Sequence, residues 1–158
     1  MTSKLSLSEF RTRLQNNTEI GSPKLKLGPF SIFTLFDGTS KLFYGLFDDK
    51  SFRLTMNSTM SPTFFIIKGR YKITNRTLAV NYNIEPSPKF YLTWIKWVPI
   101  FAGVTMNLLL IFSEEVPKEL YILVNIVIVF IIFYSRWDTK HKRKNMEQKF
   151  IKIFEIIE

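Results

Sequence analysis

The chain has 158 residues, a formal net charge of +9 and no cysteine. That length accommodates one small soluble domain beside any membrane segment, and no more. The missing cysteine excludes a disulfide framework, a thiol nucleophile and a thiolate metal site.

A first helix is predicted from Ser6 to about Gln15. Ser6 or Ser8 can accept a hydrogen bond from the first turn and so cap its N-terminus. The apolar residues within it recur at helical spacing; they are Leu7, Phe10 and Leu14.

Short apolar runs separated by turn residues then predict an antiparallel β-meander of four or five strands. Asp37-Gly38 is a strong hairpin signal, and Asp48-Asp49 and Asn75-Arg76 are weaker ones. Apolar and polar residues alternate in 52–56 and 78–84, which indicates a sheet with one covered face. The predicted strands are Phe30–Phe36, Ser40–Phe47, Ser51–Asn57, Phe64–Thr74 and Thr77–Ile84.

Two apolar runs follow, Tyr91–Phe112 and Leu120–Tyr134, which predict a transmembrane hairpin with helices at about 91–112 and 120–136. They contain 22 and 15 residues. A helix rises about 1.5 Å per residue and the hydrocarbon core is about 30 Å thick, so the second run is marginal in length. The loop 113–119 has a net charge of −2 and both flanks are basic. This asymmetry predicts that both termini lie in the cytoplasm.

Several residues at the ends of these runs are expected to lie at the membrane interface, where aromatic side chains concentrate. Lys96 is expected to extend its amine toward the headgroups. The group consists of Trp94, Lys96, Trp97, Tyr134 and Trp137.

Asn107 and Asn125 are polar residues inside the two apolar runs, at nearly the same distance from the loop. Antiparallel packing would therefore bring their amides to the same depth. We interpret them as an interhelical polar pair that holds the hairpin or an oligomer together. The alternative is a polar lining for a channel or a small-molecule path, and conduction would require an oligomer.

A basic run follows the second apolar run, and it is expected to contact anionic lipid and to orient the hairpin. Its cationic residues are Lys140, Lys142, Arg143 and Lys144. Specific lipid recognition and nucleic-acid binding are alternatives. Nucleic acid is the less favoured partner because the chain has no zinc-finger or RNP-type motif.

The last segment, 138–158, is predicted to contain an amphipathic helix, Lys140–Ile157, that packs on the sheet. Docking on the membrane surface or on a partner are the alternatives. Its apolar stripe consists of Met146, Phe150, Ile153, Phe154 and Ile157. The predicted organisation is thus a cytoplasmic helix and sheet in 1–89, a hairpin in 90–137 and this helix.

Catalysis is not expected. The one histidine, His141, lies in the basic run. No nucleophile-elbow, Walker or HExxH motif is present, and no cofactor or metal is predicted.

The stretch Leu42–Leu54, with Phe43-Tyr44-Gly45 in its first strand, resembles a pattern in a group of small uncharacterised bacterial membrane proteins. Gly69 and Thr77-Leu78-Ala79-Val80 continue the pattern, although Arg76 stands where a glycine is expected. The resemblance implies an α+β domain joined to a two-helix hairpin in the bacterial inner membrane, and no activity or ligand.

These observations predict a non-enzymatic, membrane-anchored interaction or sensor module, serving as an accessory subunit at the cytoplasmic face of the inner membrane. Its partners would be the bilayer and either another protein or further copies of itself. The alternative is a homo-oligomeric, channel-forming or membrane-perturbing protein. A third hypothesis, a lipid- or small-ligand-binding domain, rests only on the aromatic sheet and requires a pocket.

Overall fold

A computed structural model describes residues 1–23, 41–57, 64–113 and 117–157. Within them the chain is α+β, with a seven-stranded sheet and three helices. The predicted strand Phe30–Phe36 and the Asp37-Gly38 turn lie outside these residues. The elements are β1 (Thr2–Ser3), α1 (Leu7–Asn17), β2 (Thr18–Ile20), β3 (Phe43–Phe47), β4 (Ser51–Met56), β5 (Phe65–Thr74), β6 (Thr77–Pro86), α2 (Tyr91–Ile111), α3 (Lys118–Phe154) and β7 (Ile156–Ile157).

The chain divides into two compact units. The sheet unit comprises Met1–Lys89 and Lys142–Glu158, and the helical unit comprises Phe90–His141.

The sheet has the strand order β2-β3-β4-β5-β6-β1-β7. Strands β3 to β6 are antiparallel neighbours in chain order. At one edge β2 pairs with β3 in parallel. At the other, β1 lies between β6 and β7 and is antiparallel to both. The sheet therefore extends beyond the predicted meander at both edges.

Helix α1 begins at a capping box. The Ser6 hydroxyl accepts a hydrogen bond from the Glu9 backbone N–H at 3.3 Å, and the Glu9 carboxylate accepts one from the Ser6 N–H at 2.8 Å. The hydrogen bond from the Ser6 side chain lowers the pKa of the Glu9 carboxyl below its ordinary value, and the bond from the Ser6 backbone lowers it further. Two orphan N–H groups of the helix start are thus satisfied.

The core of the sheet unit lies between one face of the sheet and helices α1 and α3. Phe150 is fully buried, and its ring centroid lies 5.3 Å from that of Phe52 and 5.0 Å from that of Tyr82. The Phe154 ring lies 4.8 Å from the Phe10 ring. The end of α3 therefore covers the sheet through aromatic side chains, each of which buries a large apolar area.

Helix α3 is continuous over 37 residues, whereas the sequence predicts two separate helices, 120–136 and 140–157. No glycine or proline interrupts it, so the change from an apolar to a charged composition leaves its backbone hydrogen bonds intact. The helix ends at Phe154, and Glu155 has a positive φ of 46°. Ile157 accordingly lies in β7 and is 44% exposed, so it does not belong to the buried stripe.

In the helical unit, α2 and the first part of α3 are long and apolar enough to cross a membrane. Only 6% of the apolar window in α2 and none of that in α3 is buried. Phe101, Phe112 and Phe130 are among the exposed side chains. Gly103 is buried, and a Cβ there would lie 2.8 Å from the Ile128 side chain, so the two helices approach closely at this point.

Candidate functional site

Asn107 and Asn125 form a reciprocal amide pair between α2 and α3. The Asn107 Nδ2 donates to the Asn125 Oδ1 at 3.1 Å, and the Asn125 Nδ2 donates back at 3.0 Å. Each Nδ2 also donates to the backbone carbonyl four residues earlier, that of Gly103 or Tyr121, at 2.9 Å. Both donors of each amide are therefore used within the helical unit.

This geometry bears on the two interpretations of the pair. An amide that lines a channel needs donors directed at water or at a solute. Here the donors face one another and the helix backbone. The arrangement favours adhesion between the helices.

A double-mutant cycle on this pair is expected to show favourable coupling of about 0.6 kcal/mol, and at most about 2 kcal/mol. Asn107→Leu and Asn125→Leu each leave one amide without its partner, and the double variant removes both. The free energy of unfolding in mixed micelles measures the coupling. Met106→Leu, on the exposed side of α2, is the control because it changes no hydrogen bond. Additive losses would show that the two amides do not interact.

The five predicted interface residues lie on α2 and α3. Lys96 and Trp97 are close, with the amine 5.3 Å from the ring centroid, within the range of a cation–π contact. On α3 the Tyr134 and Trp137 rings are 6.0 Å apart, and Trp137 stacks on His141 at 5.3 Å. Trp94 and Trp137 are 61% and 60% exposed. These rings are available to headgroups or to a partner.

The basic run lies within helix α3 and so does not form an extended arm. Lys140, Arg143 and Lys144 are exposed and share one side of the helix, because they are separated by three and four residues. Lys142 lies away from that side and is half-buried. Three of the four predicted lipid-contacting cations therefore form a common surface.

In the part of the chain that the structure describes, no three His, Cys, Asp or Glu residues are grouped so that they could hold a metal ion. No known protein family, curated protein or solved structure matches this chain.

Sequence reasoning missed one charged surface. Arg53 on β4 lies directly opposite Lys68 on β5, and Arg70 follows two residues later on the same side of β5. The alternation of Arg53 with buried Phe52 and Leu54 was the signal that could have found it, because it places Arg53 on the face opposite the core.

Proposed function

We propose that this is a two-span protein of the bacterial inner membrane whose sheet unit is a non-enzymatic interaction or sensor module, acting as an accessory subunit. Both termini would lie in the cytoplasm. The observation that carries the membrane part is the exposure of α2 and α3: at most 6% of either apolar window is buried in the chain itself. An apolar surface of that size needs a lipid or protein environment.

The interaction role is supported by the nature of the sheet unit. In the described part of the chain, five phenylalanine side chains are fully buried in its core. Charged side chains such as Arg53 and Arg70 are exposed. Such a unit can present a surface to another protein while the apolar helices hold it at the bilayer. The channel alternative is less well supported, because the Asn107 and Asn125 amides form hydrogen bonds with each other and do not offer these donors to a solute.

The proposal is tested by purifying the full chain from native membranes in mild detergent and measuring the mass and stoichiometry of the intact complex. A second protein at a fixed ratio supports the accessory role. A homo-oligomer alone supports the channel alternative instead, and a lone monomer contradicts both. Asn107→Leu/Asn125→Leu serves as the matched variant, because the accessory role predicts that it retains the partner.

The proposed orientation predicts which single cysteine reacts with an impermeant thiol reagent in spheroplasts. Ser113→Cys should be labelled, and Ser8→Cys and Gln148→Cys should react only after lysis. All three positions are exposed. Ser3, which is also near the N-terminus, is unsuitable for labelling, because it is buried and its hydroxyl donates to the Phe154 carbonyl at 2.6 Å. The absence of native cysteine leaves no background. Labelling of Ser8→Cys in sealed spheroplasts would show that the orientation is the opposite of the proposed one.

A further inference from the structure

The face of the sheet opposite the core carries a cluster of hydrogen-bond donors on three adjacent strands. The register places Arg53 opposite Lys68 and Lys68 opposite Asn83. In the next row Ser51 lies opposite Arg70, and Arg70 lies opposite Asn81. We call these six residues the donor face; they are Ser51, Arg53, Lys68, Arg70, Asn81 and Asn83.

The six residues of the donor face line a depression of about 360 Å³. A single buried water needs only roughly 10–15 Å³, so the depression holds many times the volume of one water. The remaining lining comes from Phe52, Gly69 and Tyr82, and no acidic residue contributes. Every side chain of the donor face can donate a hydrogen bond.

Within the described residues, the guanidinium donors of the two arginines are unused. Neither the Arg53 nor the Arg70 side chain forms a hydrogen bond or an ion pair with any residue in the described ranges, and both are exposed. Lys68 is different, because its amine pairs with Glu85 on the same face. The hydrogen bond from Lys68, with its positive charge, holds the pKa of the Glu85 carboxyl below its ordinary value. Glu85 thus stays ionised at neutral pH and partly neutralises Lys68.

The spacing of the arginines suits one bidentate ligand. Residues diagonal to each other across two strands are about 7–8 Å apart at their backbones, within reach of long side chains. Guanidinium groups bind phosphate oxygens through two parallel hydrogen bonds, and a neighbouring amide or hydroxyl can add a neutral donor. Arg53 and Arg70 stand in this diagonal relation.

We propose that the donor face binds a phosphate group, held mainly by Arg53 and Arg70 with Asn81 as a neutral donor. The Asn83 Nδ2 is already used, because it donates to the Glu85 carboxylate at 3.4 Å. The phosphate can belong to a free phosphate ester or to an anionic lipid headgroup, since both present the same oxygens. The inference concerns the sheet unit alone and goes beyond the proposed accessory role.

The test uses the full chain in neutral detergent micelles and isothermal titration calorimetry. The probes are glycerol 1-phosphate, dioctanoyl phosphatidylglycerol and dioctanoyl phosphatidylcholine. Arg53→Gln/Arg70→Gln should weaken binding by about 10- to 100-fold, the usual effect of losing charge-assisted hydrogen bonds. The control is Lys4→Gln/Lys152→Gln, which removes the same charge at two other exposed positions and should retain wild-type affinity.

The outcomes separate the sources. Binding of glycerol 1-phosphate that depends on the two arginines supports a free phosphate ester as ligand. Arginine-dependent binding of phosphatidylglycerol, without glycerol 1-phosphate or phosphatidylcholine, supports a lipid headgroup. If no probe binds, or if both double variants lose affinity equally, the donor face has no phosphate site.

Discussion

Replacing Phe150 with alanine is expected to destabilise the sheet unit by about 3–5 kcal/mol. Phe150 is fully buried, and its ring lies within 5.3 Å of the Phe52, Tyr82 and Phe154 ring centroids. Its removal leaves a cavity where α3 meets the sheet. Hydrogen exchange of the β4–β6 peptides in the full chain measures the loss, since these amides report opening of the core.

The matched control is Leu46→Ala. Leu46 is also a large apolar residue of the sheet unit, but it is 47% exposed, so its truncation opens no cavity. A change within about 0.5 kcal/mol is expected. If the two variants exchanged at the same rate, Phe150 would not be holding α3 against the sheet.

Gly45→Ala is expected to disrupt the pairing of β3 with β4. A Cβ at this position would lie 2.0 Å from the Arg53 carbonyl oxygen and 3.0 Å from the Leu54 Cα. Both contacts are with backbone, so the strands themselves must separate, and overpacking of this kind costs about 1–3 kcal/mol or more. The Gly21 N–H, which donates to the Gly45 carbonyl at 3.0 Å, should lose protection as well.

Gly21→Ala provides the comparison for this prediction. A Cβ there would meet the Tyr44 ring and hydroxyl, at 1.9 Å for the hydroxyl. A side chain can rotate away and a backbone carbonyl cannot, so exchange at β3 should rise much less than in Gly45→Ala. Equal exchange in the two variants would contradict the close backbone approach at Gly45.

The central strands could be predicted from the sequence because their patterns are local. Phe52 and Leu54 alternate with polar residues and are buried, as are Leu78 and Val80. The Asn75-Arg76 turn was also predictable; both residues have positive φ, at 52° and 62°, as a two-residue hairpin with a primed turn requires.

The edge strands could not be predicted in the same way. Strands β1, β2 and β7 have only two or three residues, too few for alternation to be visible. They are strands because partners distant in the chain complete their hydrogen bonds. The continuity of α3 could not be predicted for a related reason. The hydropathy changes along this helix, but its backbone hydrogen bonding continues without a break.

The Asn107–Asn125 contact was predictable from the distance of each residue to the loop. In two antiparallel helices, residues at equal distances from the connecting loop lie at the same depth. The donor face was harder to recognise. Its hydrogen-bond donors are scattered along the chain between 51 and 83, and only the strand register brings them together.

The position of β1 between β6 and β7 has a consequence for the order of synthesis. Ser3 pairs with Ile156, and the Lys4 N–H donates to the Glu155 carbonyl at 3.1 Å. The sheet unit therefore cannot close until the ribosome has passed residue 156. By then α2 and the apolar part of α3 have already been made. Until the last turns of α3 arrive, only α1 can cover the apolar face of β4 and β5, where Phe10 contacts Phe52 and Tyr71. The part that Phe150 covers stays exposed until then.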